Sequence, residues 1–409
     1  MKFKALPVTA DLTSNLSKSS LRLWRSLCVK YLCVGLLALL VCCNGHSGSS
    51  GDQGHMNWNI FRGDESLSGY TDIRLPDNPV LLWTYKSEKR TDSSPIIDKG
   101  VTYWSDKRGR ILGVDIDGKL RFEYDLETAV NATPMIFGAT LYVGRIDGIM
   151  TAISLTAKDA VWTYETMGQI TASPNRTTFE GRQTIVFGSH DNFLYSIDAQ
   201  HGELIHSFET GYYLNGAVAL QNKHVIFGGC DSWLRIINCD TGVSTDSLLL
   251  DAYVPASPAI IGDYCYIGDY SGNIYELQLD KGKIISQKKI MESTIDNGSF
   301  TSVPAASRTT VYFLSDDRHL YSMDRKSGTV NWKYMLKGNP SDSSPVVCND
   351  KVIICTRTGI VTILDIKNGA PEWEYDTGEQ IMGSPAVIKD HFMILTASGT
   401  LFCFGKKQT

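Results

Sequence analysis

Between Ser341 and Gly378 the apolar residues fall in short runs, Pro345 to Cys348, Lys351 to Thr356 and Ile360 to Ile366, with a fourth around Trp373, and turn residues separate them. Runs this short, bounded by Gly, Asn and Asp, predict a four-stranded antiparallel meander. The same pattern recurs along the chain. Marked by the residue that opens each first strand, the copies begin at Pro95, Pro134, Pro174, Ala217 in place of a proline, Pro258, Pro304, Pro345 and Pro385, at intervals of 39, 40, 43, 41, 46, 41 and 40 residues. Eight units at a period near 40 predict an all-β fold, an eight-bladed β-propeller of four-stranded antiparallel blades.

Within each unit the second run is apolar and often aromatic, as in Val101–Ser105 and Val311–Leu314. A tight turn follows, such as Asp147-Gly148 or Ser271-Gly272, where a positive φ is needed. The third run alternates, so that one of its faces packs on a neighbouring blade. The fourth carries an aromatic ring at Trp83, Phe122, Trp162, Trp332 and Trp373, at 12, 12, 12, 13 and 12 residues before the next unit's proline. Asp324, Gly328, Trp332 and Asp365, Gly369, Trp373 repeat at offsets of four: an Asp capping a turn, a Gly with free φ and a ring wedged between blades. Trp83, Trp162, Trp332, Trp373, Gly328 and Gly369 are accordingly structural. The strand at Trp83 lacks its three predecessors and the last unit, ending Leu401 to Phe404, lacks its fourth strand. Pairing the two closes the ring and removes two open sheet edges. Residues 57–80 then form a lead-in, and 81–405 the propeller, with 406–409 a tail. Arg62-Gly63-Asp64 in the lead-in matches an integrin-binding tripeptide, which in this setting is read as chance.

Charge changes this picture little. A formal net charge of −5, with Lys and Arg dispersed, leaves no footprint for nucleic acid. The amino terminus changes it more. Arg22, Arg25 and Lys30 precede an apolar run from Tyr31 to Val41, too short to span a bilayer and suited to the core of a secretory signal. The run ends Leu40-Val41-Cys42-Cys43, which resembles a bacterial lipobox and implies lipidation of Cys43, with residues 1–43 as the signal. Plain cleavage without a lipid is the alternative. Residues 44–56, rich in Gly and Ser, read as a flexible tether. Cys230, Cys239, Cys265, Cys348, Cys355 and Cys403 form no CxxC pair and sit mostly in apolar runs, as small buried hydrophobes do.

These units resemble pyrroloquinoline-quinone-type propeller repeats, whose pattern is SSP, then VYVGSxDGxLYAxD, then TGxxxW, and the likeness covers residues 81–404. With its signal, Cys anchor, glycine-rich tether and short loops, the chain is most similar within that family to BamB-type lipoproteins of the outer-membrane barrel assembly machinery. The resemblance implies a monomeric, non-enzymatic scaffold for envelope proteins, among them barrel-assembly components. It would face the periplasm from an outer-membrane anchor, or be soluble in the periplasm or secreted if no lipid is added. The family name also implies an alternative, a periplasmic quinone-dependent dehydrogenase or ligand sensor with a quinone stacked on a Trp and a calcium ion beside it. Against that, the long inter-blade insertions are missing and the one adjacent cysteine pair, Cys42-Cys43, lies in the signal. No catalytic or metal-binding residue is therefore expected, nor a cofactor. A binding platform would use the loops from each fourth strand to the next blade. Tyr212, Tyr213, Leu214 and Tyr253 are the residues expected to meet a partner, with Asp296 and Asn297 in the irregular stretch Ile284 to Ser302. Plugging the channel mouth is the alternative role for the aromatics.

Overall fold

The computed structural model describes residues 56–179, 181–292 and 299–407, which hold no α-helix and eight sheets. Seven blades are formed by consecutive strands, for example Ile96–Asp98, Val101–Ser105, Arg110–Asp115 and Leu120–Asp125 in blade 1. Blade 8 takes its outer strand from the start of the chain. Val80–Lys86 pairs antiparallel with Thr400–Gly405, matching Val80 to Gly405 and Lys86 to Thr400, so the ring closes as the sequence predicts. One register differs from expectation. The blade 4 inner strand is Ala219–Gln221, so Val218, not Ala217, occupies the position that proline holds in the other units.

Two devices join blade to blade. The first is the tryptophan wedge. Trp83, Trp162 and Trp332 donate their indole N–H to the carbonyls of Ile116, Ala199 and Ile366 at 2.7, 2.9 and 3.0 Å, each in the next blade. The ring lies beneath a turn glycine of that blade. A Cβ on Gly118, Gly202 or Gly369 would come within 3.0, 2.7 or 2.5 Å of the respective tryptophan, and all three glycines have positive φ. The ring under Gly369 is therefore Trp332 of the preceding blade. Gly328 shares the positive φ but faces Lys288, because blade 5 has no tryptophan there, and Trp373 instead meets Phe404 edge-on at 5.3 Å.

The second device is a girdle of hydroxyls at the residue before the recurring proline position. The amides of Val303, Ser344, Ser384 and Ser94 donate to the hydroxyls of Ser344, Ser384, Ser94 and Thr133 at 2.9 Å each, and the Thr133 amide to Ser173 at 3.2 Å. This chain of bonds runs from blade 6 through blades 7, 8, 1 and 2 to blade 3. Each link satisfies a main-chain donor in a buried place, where an unpaired one is costly. Ala217 and Val303 carry no hydroxyl, so the girdle is interrupted at blades 4 and 6.

The lead-in runs round the inside of the ring, meeting the blades in order. Amides of the inner strands, which would otherwise point into the channel unpaired, donate to its carbonyls: Ile97 to Trp58, Ile136 to Asn59, Leu220 to Glu65, Ile260 to Ser66, Ala306 to Ser68 and Val347 to Gly69, at 2.8 to 3.0 Å. Blade 3 joins through the Asn175 side chain, 2.8 Å from the Glu65 carbonyl. Tyr70–Thr71 adds a parallel fifth strand to blade 7. Trp58, Ile60 and Leu67 are buried in three separate clusters of the core. Arg62 is 1% exposed and donates to the carbonyls of Pro345 at 2.6 Å and Pro304 at 2.9 Å. Burial pushes its pKa down to about 9, and Asp64 partly opposes the shift. The Arg-Gly-Asp tripeptide is thus interior structure: its arginine is enclosed, and the Asp64 carboxylate accepts bonds from Ser68. Replacing Ser344 by Ala is expected to leave the buried Val303 amide without its acceptor and to lower unfolding free energy by about 1–3 kcal/mol in a urea titration. Ser271→Ala at an exposed turn should change it by less than about 0.5 kcal/mol.

Candidate interaction surface

The loops from outer strand to next inner strand share one face with the turns between second and third strands, and amides of those turns bond the loops. His190 donates to the carbonyl of Gln169, Cys230 to Tyr213 and Tyr270 to Tyr253, at 2.9, 3.2 and 2.9 Å. These links make a continuous band over blades 3, 4 and 5. Within it Tyr213 stacks on His190 at 5.1 Å and touches Tyr212 at 4.4 Å, while Tyr253 stacks on Tyr270 at 4.4 Å. The four tyrosines keep 38 to 50% of their surface exposed, and Met167 keeps 93%. Rings stacked in pairs are rigid, so presenting them to a partner costs little side-chain entropy.

The loop under Tyr212 and Tyr213 is anchored from below. The Thr210 hydroxyl bonds the Asn192 carbonyl at 2.8 Å, and the Asp231 carboxylate accepts the Gly211 and Trp233 amides at 2.9 and 3.2 Å while Arg235 clasps it at 2.5 Å. Burial alone would raise the Asp231 pKa, but the bonds from Arg235 and these amides outweigh it and hold the carboxyl below its ordinary value. Cys230, beside it, is shifted the other way: burial and then Asp231 push the thiol up, so it stays protonated and is no nucleophile at neutral pH.

Of the residues expected here, Tyr212, Tyr213 and Tyr253 lie together on the band. Leu214 does not. It is 1% exposed, packs under Gly188, where a Cβ would stand 2.5 Å away, and belongs to the core between blades 3 and 4, because the loop must bury one apolar residue to sit down on the sheet. Asp296, Asn297 and Cys43 fall outside the described residues. Met167, His190 and Tyr270 were not foreseen. Tyr270 had a readable signal, an aromatic in an Asp-x-Ser-Gly turn where blade 1 has Lys107, blade 7 Arg357 and blade 8 Ala397.

A quinone with calcium, which the repeat pattern implies, finds no matching residues on the inner strands among the described residues. None of the inner strands lining the axis carries a tryptophan, and their one carboxylate is Asp98, in blade 1. Trp104 is fully buried in the second strand of blade 1, and the lead-in occupies the axis at the inner strands. No group of three or more His, Cys, Asp or Glu among the described residues is placed to hold a metal ion.

Fold, repeat pattern and exposed band together define an eight-bladed propeller of the quinoprotein-repeat class that presents an aromatic surface on its loop face. The family described as outer membrane protein assembly factor BamB matches residues 76–210 and 255–408, and the chain belongs to that family. A BamB from Shewanella oneidensis is 22% identical over 281 residues, 64% of this chain and 67% of that protein. The crystal structure of BamB from Moraxella catarrhalis superposes with a TM-score of 0.67 at 17% identity, covering 81% of this chain and 98% of its own. Quinohemoprotein alcohol dehydrogenase from Comamonas testosteroni reaches a TM-score of 0.70 at 14% identity, covering 87% and 81%. At such identities these two structures share the fold and nothing finer.

Since the folded pKa of Asp231 is depressed, its bonds add stability above the ordinary carboxylate range, near pH 4, and that stability is lost as pH falls through the folded value. Hydrogen exchange between pH 5 and 2.5 should show the Gly211 and Trp233 amides losing protection in acid beyond the intrinsic trend. In Asp231→Ala they should be unprotected throughout.

Proposed function

We propose that this protein is a non-enzymatic, protein-binding propeller of the bacterial envelope, acting in the assembly of outer-membrane β-barrel proteins. The observation that carries the reading is the aromatic band on a chain of the BamB family: exposed, pre-stacked tyrosines on anchored loops form a docking surface, since aromatic anchors supply most of the binding energy of protein interfaces. The absence of a quinone from the working protein is part of the proposal, and the apolar, axis-lining inner strands support it. So is attachment to the outer membrane through a lipidated Cys43, which rests on the sequence alone.

Pull-down from detergent-solubilised envelopes, read by mass spectrometry, tests the role. Wild type should retain barrel-assembly components, and Tyr213→Ala with Tyr253→Ala should weaken that retention at least about thirtyfold, the equivalent of about 2 kcal/mol. Recovery of no assembly component by wild type would defeat the reading. A stoichiometric chromophore after adding quinone and calcium to the purified protein would restore the enzyme alternative. Cys43→Ser should release the protein from membranes into the soluble fraction, and continued partition with membranes would exclude that anchor.

A further inference from the structure

The charge around the aromatic band is lopsided. Glu165 and Glu209 end the outer strands of blades 2 and 3, are exposed, and have no ion pair among the described residues. The nearby cations are already committed: Arg145 to Asp147, Arg235 to Asp231 and Lys289, 2.7 Å from Asp251. Across the same face, at blades 8 and 1, the loop that follows Val80–Lys86 is balanced, with Lys89 and Arg90 beside the exposed Glu88 and Asp92. The band thus combines apolar rings with uncompensated carboxylates.

Resting on the docking role argued above, we propose that the band binds a protein segment that presents aromatic or aliphatic side chains interleaved with Lys or Arg. The rings bury the apolar groups while Glu165 and Glu209 pair with the cations, which fixes the segment's position over blades 3 to 5. Charge complementarity of this kind acts mainly on association rate and orientation, and it weakens with salt. An anionic lipid surface is disfavoured at the band for the same reason.

The test uses the full-length protein and two labelled synthetic peptides of twelve residues. Both carry the same Trp, Leu and Phe positions, with Lys and Arg between them in one and Glu in the other. Fluorescence anisotropy should show the basic peptide binding at least tenfold more tightly than the acidic one, and fivefold or more weaker at 300 mM than at 50 mM salt. Glu165→Lys with Glu209→Lys should remove most of that preference, while Tyr213→Ala with Tyr253→Ala should abolish binding of both peptides. Unchanged thermal unfolding midpoints of the variants guard against a folding defect. Equal binding of the two peptides, no binding of either, or indifference to the charge reversal would overturn the proposal. If the envelope pull-down succeeds and depends on the tyrosines but not on salt or the glutamates, the assembly role stands and this partner chemistry falls. Preferential binding to vesicles of anionic phospholipid over both peptides would also overturn it.

Discussion

Every sheet has two edges, and a ring of blades inherits the problem: the inner strands point unpaired amides at the axis, and the chain must also close on itself. Both are solved by the same stretch of chain. Val80–Lys86 supplies the missing outer strand of blade 8, and the residues just before it place carbonyls against the inner amides of blades 1, 2, 4, 5, 6 and 7. Unpaired buried amides each cost free energy of the order of a lost hydrogen bond, so this segment is a condition for the ring. It also uses up the axis, which restricts where the protein can meet anything else.

That restriction gives the loop face its importance. With inner edges paired to the lead-in and the inter-blade seams filled by Trp83, Trp162 and Trp332, variation is cheapest where strands turn. Blades 3 to 5 use that freedom. There the turn and loop positions carry Met167, Tyr212, Tyr213, Tyr253 and Tyr270, and the hydroxyl girdle is interrupted at Ala217 in blade 4 and again at Val303 in the adjoining blade 6. The departure from the repeat falls in the same sector as the exposed rings.

Much of the architecture was legible in the chain because a period near 40 with alternating apolar runs admits few packings, and the unmatched strands at either end require closure. The wedge was legible in part: the spacing of Gly369 and Trp373 was visible, but that Gly369 seats Trp332 of the preceding blade is a long-range fact. Ser94, Thr133, Ser344 and Ser384 recur before proline in plain view, yet their role as links depends on the distance between blades. The one-residue slip at Ala217 arose because blade 4 lacks the proline that marks register.

The site divides the same way. The sequence by itself determined that aromatic residues gather at Gly211 to Asn215 and at Tyr253. Only the tertiary structure decided which of them are available. Leu214 and Tyr213 are neighbours of similar hydrophobic character, but the loop can bury only the one whose side chain turns toward the gap beneath Gly188, and it lays the other flat on His190. Arg62 and Asp64 show the converse, a charged tripeptide drawn into the interior because the carbonyls of Pro304 and Pro345 converge there. Burial is set by what the rest of the fold brings alongside, and residue type alone does not carry that information.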